Sequence, residues 1–427
     1  MKKRNLILLV LICILSLFVF IGLLVYAFQL QHESDLKDGA SGQNTQSDLN
    51  SSETANPSVA ATAIPTEAAD ESNSETSNQN ASVQLTPDAS FTVTPTPAAG
   101  SLDQTDTGSS DPIILGFAGD VNLDENYYPV KKYDSVDEDI QKCLSEDLLE
   151  EMNGADVMML NNEFSYSTRG TKTPDKSFTF RADPSRVDIL KKMGVDIVSL
   201  ANNHALDYGP DALLDTFDTL DGAGIDYVGA GENLDRAKEP IYYTIGDKKI
   251  AFVAASRVVF AMDWYASDTG LGMIGTYDPA LILESIKEAQ ANSDYVVMFV
   301  HWGIERENYP VDYQRNLAKM YIDAGADAVV GCHPHVMQGF EYYKGKPIAY
   351  SLGNYWFNQS TDKSGLLKLY LDKDGTVRMQ ILPAATADTF TYLLSKEADK
   401  KDYYDFMKEI SFDVNIDADG FITDTSY

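Results

Sequence analysis

Four of the five histidines in this 427-residue chain stand at or just beyond the end of a predicted strand. They are His204, His301, His333 and His335. Loops at the ends of strands in an open α/β sheet are where ligand sites form. A structural role would explain any one of these histidines, but four independent coincidences of position would be needed to explain them all. The pattern therefore predicts one site that gathers imidazoles.

Carboxylates and amides occur at comparable positions. Asp120 follows Gly119 at the end of an apolar run, Glu163 ends a similar run, and Asn203 directly precedes His204. Neutral imidazole together with carboxylate and amide oxygen is a ligand set that suits Mn, Fe or Zn, whereas calcium prefers oxygen alone. The residues therefore predict a site for one or two divalent transition-metal ions.

Other polar residues are candidates for substrate binding. Asn122 and Asn162 lie beside the predicted ligands, and Asn354 follows another predicted strand. Arg181 has two interpretations: it binds an anionic group, or it forms an exposed salt bridge.

Short apolar runs rich in Val and Ile alternate with segments of helical periodicity after residue 112, which is typical of an α/β fold. The predicted strands are 113–121, 156–160, 196–200, 295–301, 328–331 and 347–352. The predicted hairpins are 242–245 with 249–254, and 366–371 with 376–381. The predicted helices are 187–193, 212–223, 281–292 and 313–324.

The N-terminus carries an uncharged apolar run, residues 6–28, after Lys2, Lys3 and Arg4. At ~1.5 Å per residue a helix of that length spans about 35 Å, enough to cross a ~30 Å hydrocarbon core. We therefore predict a cytoplasmic stub and a transmembrane anchor over residues 1–28, in a single-pass protein of the cell membrane whose remainder is extracytoplasmic. The alternative is a cleavable signal peptide, whose apolar core is typically ~7–15 residues long.

Residues 29–111 are dominated by Ser, Thr, Asn, Gln, Pro and acids, and cannot bury enough apolar surface to fold. We predict a disordered acidic linker there, and a folded domain over 112–427. The domain carries about −23 of the chain's net charge of −32, which argues against nucleic acid as a partner. Cys143 and Cys332 either form one disulfide or are both free, and the sequence does not decide between these states.

Six longer motifs resemble one family, the CapA proteins of poly-γ-glutamate capsule synthesis, and more widely the calcineurin-like metallophosphoesterases. The motifs are AGDV at 118–121, SLANNHALDYG at 199–209, GAG at 229–231, HWG at 301–303, GCHPH at 331–335 and YSLGNYWF at 350–357. The resemblance covers roughly residues 113–357. It implies a metallophosphoesterase-like sandwich of mixed β-sheets flanked by helices.

The resemblance also implies roles for individual residues. Asp120 would bind one metal, Glu163 would bridge or lie beside it, and His335 would return to that first metal. A second metal would be held by Asn203, His301 and His333, and His204 would act as the acid or base beside the substrate.

Two residues depart from the phosphoesterase pattern. Asn122 stands where that pattern has histidine, and Glu163 where it has aspartate. The number of metals, one or two, therefore stays open.

Three functions are compatible with these features. The first is synthesis, export or processing of an anionic capsule polymer of the poly-γ-glutamate type by a metal-dependent hydrolase. The second is an extracellular metal-dependent phosphatase or phosphodiesterase acting on a phosphoester. The third is a non-catalytic assembly factor that partners a membrane-embedded polymer synthase. Fold resemblance alone does not separate them, because function resides in the site.

Overall fold

A computed structural model describes residues 111–426. The predicted anchor and nearly all of the predicted linker lie outside this range. Within it, no helix has the length and apolar character needed to cross a membrane.

The described part of the chain contains strands and α-helices, and its segment from β12 to β18 consists of strands alone. The strands are β1 (Ile113–Val121), β2 (Val157–Asn162), β3 (Ser165–Tyr166), β4 (Arg181–Ala182), β5 (Ile197–Ser199), β6 (Asp226–Val228), β7 (Ala230–Gly231), β8 (Ile241–Ile245), β9 (Lys248–Ser256), β10 (Gly272–Met273), β11 (Tyr295–His301), β12 (Ala328–Cys332), β13 (Met337–Tyr343), β14 (Lys346–Leu352), β15 (Asn354–Trp356), β16 (Thr361–Leu371), β17 (Val377–Ala387), β18 (Phe390–Leu393), β19 (Val414–Ile416) and β20 (Phe421–Asp424). The α-helices are α1 (Tyr128–Ser135), α2 (Glu146–Asn153), α3 (Val187–Lys192), α4 (Pro210–Ala223), α5 (Leu234–Lys238), α6 (Ala280–Asn292), α7 (Asp312–Ala324) and α8 (Glu397–Glu409).

Two large mixed sheets organise these elements. The first has the order β19-β20-β17-β16-β1-β2-β5-β6, with β15 beside β1 and β18 beside β17. In it β1, β2, β5 and β6 run parallel, while β16 and β17 are antiparallel. The second has the order β13-β14-β12-β11-β9-β8, with a parallel centre and antiparallel edge strands. The predicted α/β class is therefore confirmed.

The main core lies between the two sheets. Phe117 of the first sheet and Phe252 of the second bring their ring centroids to 6.4 Å. Strand β11 buries Val297 and Phe299 in this core, and Met298, on its other face, in a second core with α6 and α7. Burial of both faces explains why β11 reads as an uninterrupted apolar run.

The long periodic segments were predicted well. Strands β1 and β11 have the predicted bounds, and both predicted hairpins are antiparallel pairs, β8 with β9 and β16 with β17. The predicted helices correspond to α3, α4, α6 and α7, with ends that differ by one or two residues. Helices α1, α2, α5 and α8 were not predicted, because each is short or highly charged with a narrow apolar stripe. Cys143 and Cys332 are both free, buried thiols.

Candidate metal centre

The sheets bring the predicted site residues to one place because the parallel strands end at the same edges. Asp120 lies near the end of β1, Glu163 follows β2, and Asn203 lies beyond β5. His301 ends β11, and His333 follows β12. The strand ends of the two facing sheets therefore converge on a single cluster.

One possible ligand group comprises Glu163, His301 and His333. One ligand atom from each lies within 4.8 Å of the others, and all three residues are buried. Glu163 Oε1 lies 3.8 Å from His301 Nε2. The amide oxygen of Asn203 lies 2.7 Å from the same Nε2, so a fourth oxygen donor faces this group.

A second possible group comprises Asp120, Glu163 and His335, whose ligand atoms meet the same 4.8 Å limit. Glu163 belongs to both groups. His335 Nδ1 lies 3.5 Å from Asp120 Oδ2 and 2.8 Å from Asn354 Oδ1, so Asn354 orients that imidazole. The arrangement offers two adjacent ligand sets that share one carboxylate.

Two atoms in this cluster are buried without a hydrogen-bond partner among residues 111–426: Glu163 Oε1 and His333 Nδ1. Leaving a buried polar atom unsatisfied costs about 1–3 kcal/mol, and more for a charged group. Both atoms are good ligands for a divalent transition metal. The donor set and its unsatisfied atoms therefore fit such an ion.

Burial and mutual charge set the protonation of the cluster. Burial and the neighbouring Asp120 charge raise the pKa of Glu163 well above its usual value. Burial lowers the pKa of His333 to about 3, and it lowers the pKa of His301 well below the usual range. Burial disfavours the charged form of His335 and so lowers its pKa, but the hydrogen bond to Asp120 outweighs this effect, and the pKa of His335 is raised. Neutral His301 and His333 are in the state that metal binding requires.

The backbone at the last two histidines adopts the left-handed region. His333 has φ of 100° and His335 has φ of 58°. Such conformations cost about 1–3 kcal/mol each and concentrate at functional sites, where the surrounding structure holds them. Here the turn after β12 places the imidazole of His335 3.5 Å from Asp120 Oδ2, and the backbone N–H of His333 donates to the same oxygen at 3.3 Å.

His204 lies beside the cluster, and the groups that hold its imidazole contact the ring nitrogen that points away from the cluster. Its Nδ1 is 2.6 Å from Asp207 Oδ2, while its Nε2 is 3.9 Å from Glu163 Oε1. The Lys176 ammonium lies 3.1 Å from the same Nδ1, forms an ion pair with Asp207, and donates to the carbonyl of Asn203 at 2.5 Å. The Phe180 ring packs on His204 with centroids 4.4 Å apart.

Lys176 and Asp207 were not predicted as site residues. Asp207 is part of the motif at 199–209, three residues after His204, and that spacing could have identified it. Lys176 belongs to a loop with no periodicity, and nothing in the sequence places it near His204.

Asn161 is a third contributor that was not singled out. Its side-chain NH₂ group lies 2.8 Å from Asp120 Oδ1, 3.3 Å from Glu163 Oε2 and 3.4 Å from His301 Nδ1. Its oxygen accepts from Asn202 at 3.1 Å, which fixes the orientation of the amide. Asn161 therefore holds one oxygen of each carboxylate. Of the other two oxygens, Asp120 Oδ2 accepts from the backbone of His333, and Glu163 Oε1 faces His301.

The candidate substrate-binding residues are placed differently from one another. Asn122 is fully buried and its oxygen accepts from the backbone of Asp124, so this oxygen is engaged locally. Asn162 is also buried, and its NH₂ group donates to the carbonyl of Phe164. The Arg181 guanidinium stacks on Tyr208 at 4.1 Å and donates to the Arg169 carbonyl. The salt bridge considered for Arg181 is not found among the described residues, since its guanidinium uses this ring face and this carbonyl instead.

Cys332 lies at the end of β12, paired in register with His301 of β11. Its Sγ is 3.3 Å from His301 Nδ1, and with Asp120 and His301 it forms a third group of possible ligands. Burial, together with the charges of Asp120 and Glu163, raises the pKa of this thiol well above its usual value.

The two mixed sheets and the buried cluster of imidazoles, carboxylates and amides define an α/β protein with a candidate divalent-metal centre. Residues 114–359, more than half of the chain, match the family model described as bacterial capsule synthesis protein PGA_cap, and the chain belongs to this family. The resemblance to CapA proteins is thereby confirmed.

The chain is similar to the PGA biosynthesis protein CapA of Bacillus subtilis, with 37% identity over 223 residues, 50% of this chain and 56% of that protein. It is also 37% identical over 216 residues to the capsule biosynthesis protein CapA of Bacillus anthracis, covering 49% of this chain and 52% of that one. The chain thus spans about half the length of these relatives. A solved phosphatase structure from Mycoplasma pneumoniae aligns with 66% of this chain and 96% of its own, at 13% identity and a TM-score of 0.41, too low to establish a common fold.

Proposed function

We propose that this protein acts in the synthesis, export or processing of an anionic capsule polymer of the poly-γ-glutamate type, through a metallophosphoesterase-like, metal-dependent hydrolase centre. The observation that carries the proposal is the buried pair of ligand groups sharing Glu163, with Glu163 Oε1 and His333 Nδ1 lacking partners within the described range. Membership of a capsule synthesis family supports the polymer as substrate class.

In this proposal Asp120, Glu163 and His335 hold one divalent metal, Mn, Fe or Zn. Glu163, Asn203, His301 and His333 hold a second, or the only one if a single ion binds. When bound, such ions lower the pKa of water and polarise the attacked phosphoryl or acyl oxygen.

The protein's own groups then position and move protons. Asp207 accepts from His204 Nδ1, so His204 Nε2 is the nitrogen that faces the centre and can exchange a proton with the substrate. Lys176 fixes both Asp207 and the Asn203 carbonyl, which keeps Asn203 and His204 in one orientation. General acid–base catalysis of this kind contributes about 10²–10⁴-fold in rate.

The acidic charge of the domain constrains how a polyanion approaches. A domain with about −23 of net charge does not attract a polyglutamate chain over long distances. Contact in this proposal therefore relies on the metal ions and local cations. Arg181, the first residue of β4, stacks on Tyr208 and is a candidate cation for this contact.

We also propose that residues 1–28 anchor the protein in the cell membrane, with residues 29–111 as a tether and the domain outside the cell. The uncharged run at 6–28 after three basic residues supports this proposal. Cell fractionation tests it, because an anchored protein sediments with membranes. Release of the protein into the medium would instead support a cleaved signal peptide.

Metal analysis of the purified full-length protein tests the centre. We expect at least one equivalent of Mn, Fe or Zn, and its absence would overturn the hydrolase proposal and leave the assembly role beside a membrane-embedded synthase. His204→Ala should keep the metal and lose turnover. Parallel assays with a γ-glutamyl polymer and a phosphodiester separate the capsule-polymer function from a phosphodiesterase.

A further inference from the structure

Cys332 contacts the imidazole of His301 on the side opposite the ligand group. The Sγ atom lies 3.3 Å from Nδ1, whereas Nε2 faces Asn203 Oδ1 at 2.7 Å and Glu163 Oε1 at 3.8 Å. Cys332 is fully buried, and its backbone pairs in register with that of His301. The thiol is therefore held against this ring by the sheet itself.

A metal bound at Nε2 needs the lone pair of that nitrogen, so the ring proton must sit on Nδ1 and find an acceptor. The polar contacts of Nδ1 are Cys332 Sγ and, at 3.4 Å, the NH₂ group of Asn161. Asn161 is a donor there, because its orientation is set by Asp120, Glu163 and Asn202. Of the two contacts, the sulfur is the one that can accept.

The S–H group of Cys332 has a hydrogen-bond acceptor of its own. Sγ lies 3.8 Å from the carbonyl oxygen of Val300, within range for a sulfur donor. In the metal-free state, Nε2–H donates to Asn203 Oδ1, and Nδ1 can accept from the thiol. In the other tautomer of His301, Nε2 has lost its proton to solvent and Nδ1 has taken one up. The Cys332 S–H then donates to the Val300 carbonyl, and the sulfur accepts from Nδ1–H. The number of protons on His301 and Cys332 together does not change.

We propose that Cys332 is a positioning residue of the metal centre, which accepts the Nδ1–H of His301 and thereby directs the Nε2 lone pair to the metal. The proposal rests on the metal centre of the proposed function. It differs from direct ligation by Cys332, which the group Asp120, His301 and Cys332 would otherwise allow. A coordinating thiol is deprotonated, whereas the positioning role keeps the proton on sulfur.

Cobalt reconstitution of the full-length protein distinguishes these roles. With Co²⁺ in place of the native metal, we expect the visible bands of cobalt without the intense near-ultraviolet band of a thiolate ligand. Cys332→Ala should weaken Co²⁺ and Zn²⁺ binding about 10–100-fold in chelator competition, as loss of a partner to a ligating histidine does. Cys332→Ser should restore most of the affinity, since a hydroxyl also both accepts and donates.

Cys143→Ala is the matched control, because Cys143 is the other free, buried thiol of the described domain and lies outside the ligand groups. Thermal unfolding of each variant checks that it is folded. A thiolate band in the wild type that disappears in Cys332→Ala would overturn the proposal in favour of direct ligation. Unchanged affinity in Cys332→Ala would overturn it as well, whereas a wild type that binds no cobalt would overturn the proposed metal centre itself.

Discussion

The carboxylate of Asp207 and the imidazole of His204 are only three residues apart, and Asp207 Oδ2 lies 2.6 Å from His204 Nδ1. This contact turns the other nitrogen, Nε2, towards Glu163 at 3.9 Å. Burial lowers the pKa of His204 while Asp207 opposes that effect. The orientation and tautomer of His204 are therefore set by a neighbour that makes no contact with the ligand atoms.

Asp207→Asn removes the charge that orients His204 and keeps the shape of the side chain. We expect turnover of whichever substrate the wild type cleaves to fall by about 10²–10⁴-fold, since His204 loses its role as acid or base. Metal content should stay the same. Asp215→Asn is the control, because Asp215 pairs with Arg169 and belongs to none of the ligand groups. Equal rates for both variants would argue against the Asp207–His204 pair.

Lys176→Met breaks a buried ion pair, in which the side chains of Lys176 and Asp207 are 9% and 0% exposed. We expect the free energy of unfolding to fall by about 3–5 kcal/mol, because an uncompensated buried carboxylate remains. The double variant Lys176→Met, Asp207→Asn should lose less than the sum of the single losses. Urea unfolding measures the stability of the two single variants and the double variant. Lys192→Met is the control, because Lys192 is exposed and its ammonium lies over the Tyr133 ring. Additive losses would contradict the pairing.

Metal binding should release protons from Glu163 and His335. Both pKa values are raised in the metal-free protein, so these groups hold protons at pH values where the unfolded chain has lost them. His333, with a pKa of about 3, is already deprotonated and contributes none. Affinity should therefore rise with pH, and calorimetry in buffers of different ionisation enthalpy should detect the release.

Glu163→Gln tests which groups make the metal affinity depend on pH. It should lower the affinity and reduce the number of protons released, because one of the two proton-holding groups is removed. The release attributable to His335 should persist. A pH-independent affinity in the wild type would contradict the raised pKa values.

Gly119→Ala should destabilise the protein at the site. A Cβ at residue 119 would lie 1.9 Å from the carbonyl oxygen of Gly353, which accepts from the backbone of Asp120. We expect a loss of about 1–3 kcal/mol and weaker metal binding, because the strand carrying Asp120 must shift. Gly222→Ala is the control: it is an exposed helical position with no atom within 4 Å, and we expect a gain of about 0.5–1 kcal/mol. Equal unfolding temperatures for the two variants would contradict this packing.

Much of the fold could be predicted because local patterns carry it. Strand β11 is a run of apolar residues buried on both faces, and helices α4, α6 and α7 have apolar residues at helical spacing. Helix α8 could not be predicted in the same way. It buries little more than Tyr403, Tyr404 and Met407 among many charged residues, so its helical form depends on docking to the sheet.

The sequence by itself predicted which residues could bind a metal ion, because His, Asp, Glu and Asn at strand ends and in long motifs can be recognised without coordinates. It also determined the family, through motifs that span most of the matched region. Tertiary structure alone decided that Glu163 is shared by two ligand groups and that Lys176 reaches His204. It likewise decided that Cys332 contacts Nδ1 rather than Nε2 of His301. Those contacts join residues far apart in the chain, and their distances depend on how two sheets pack, which no local pattern encodes.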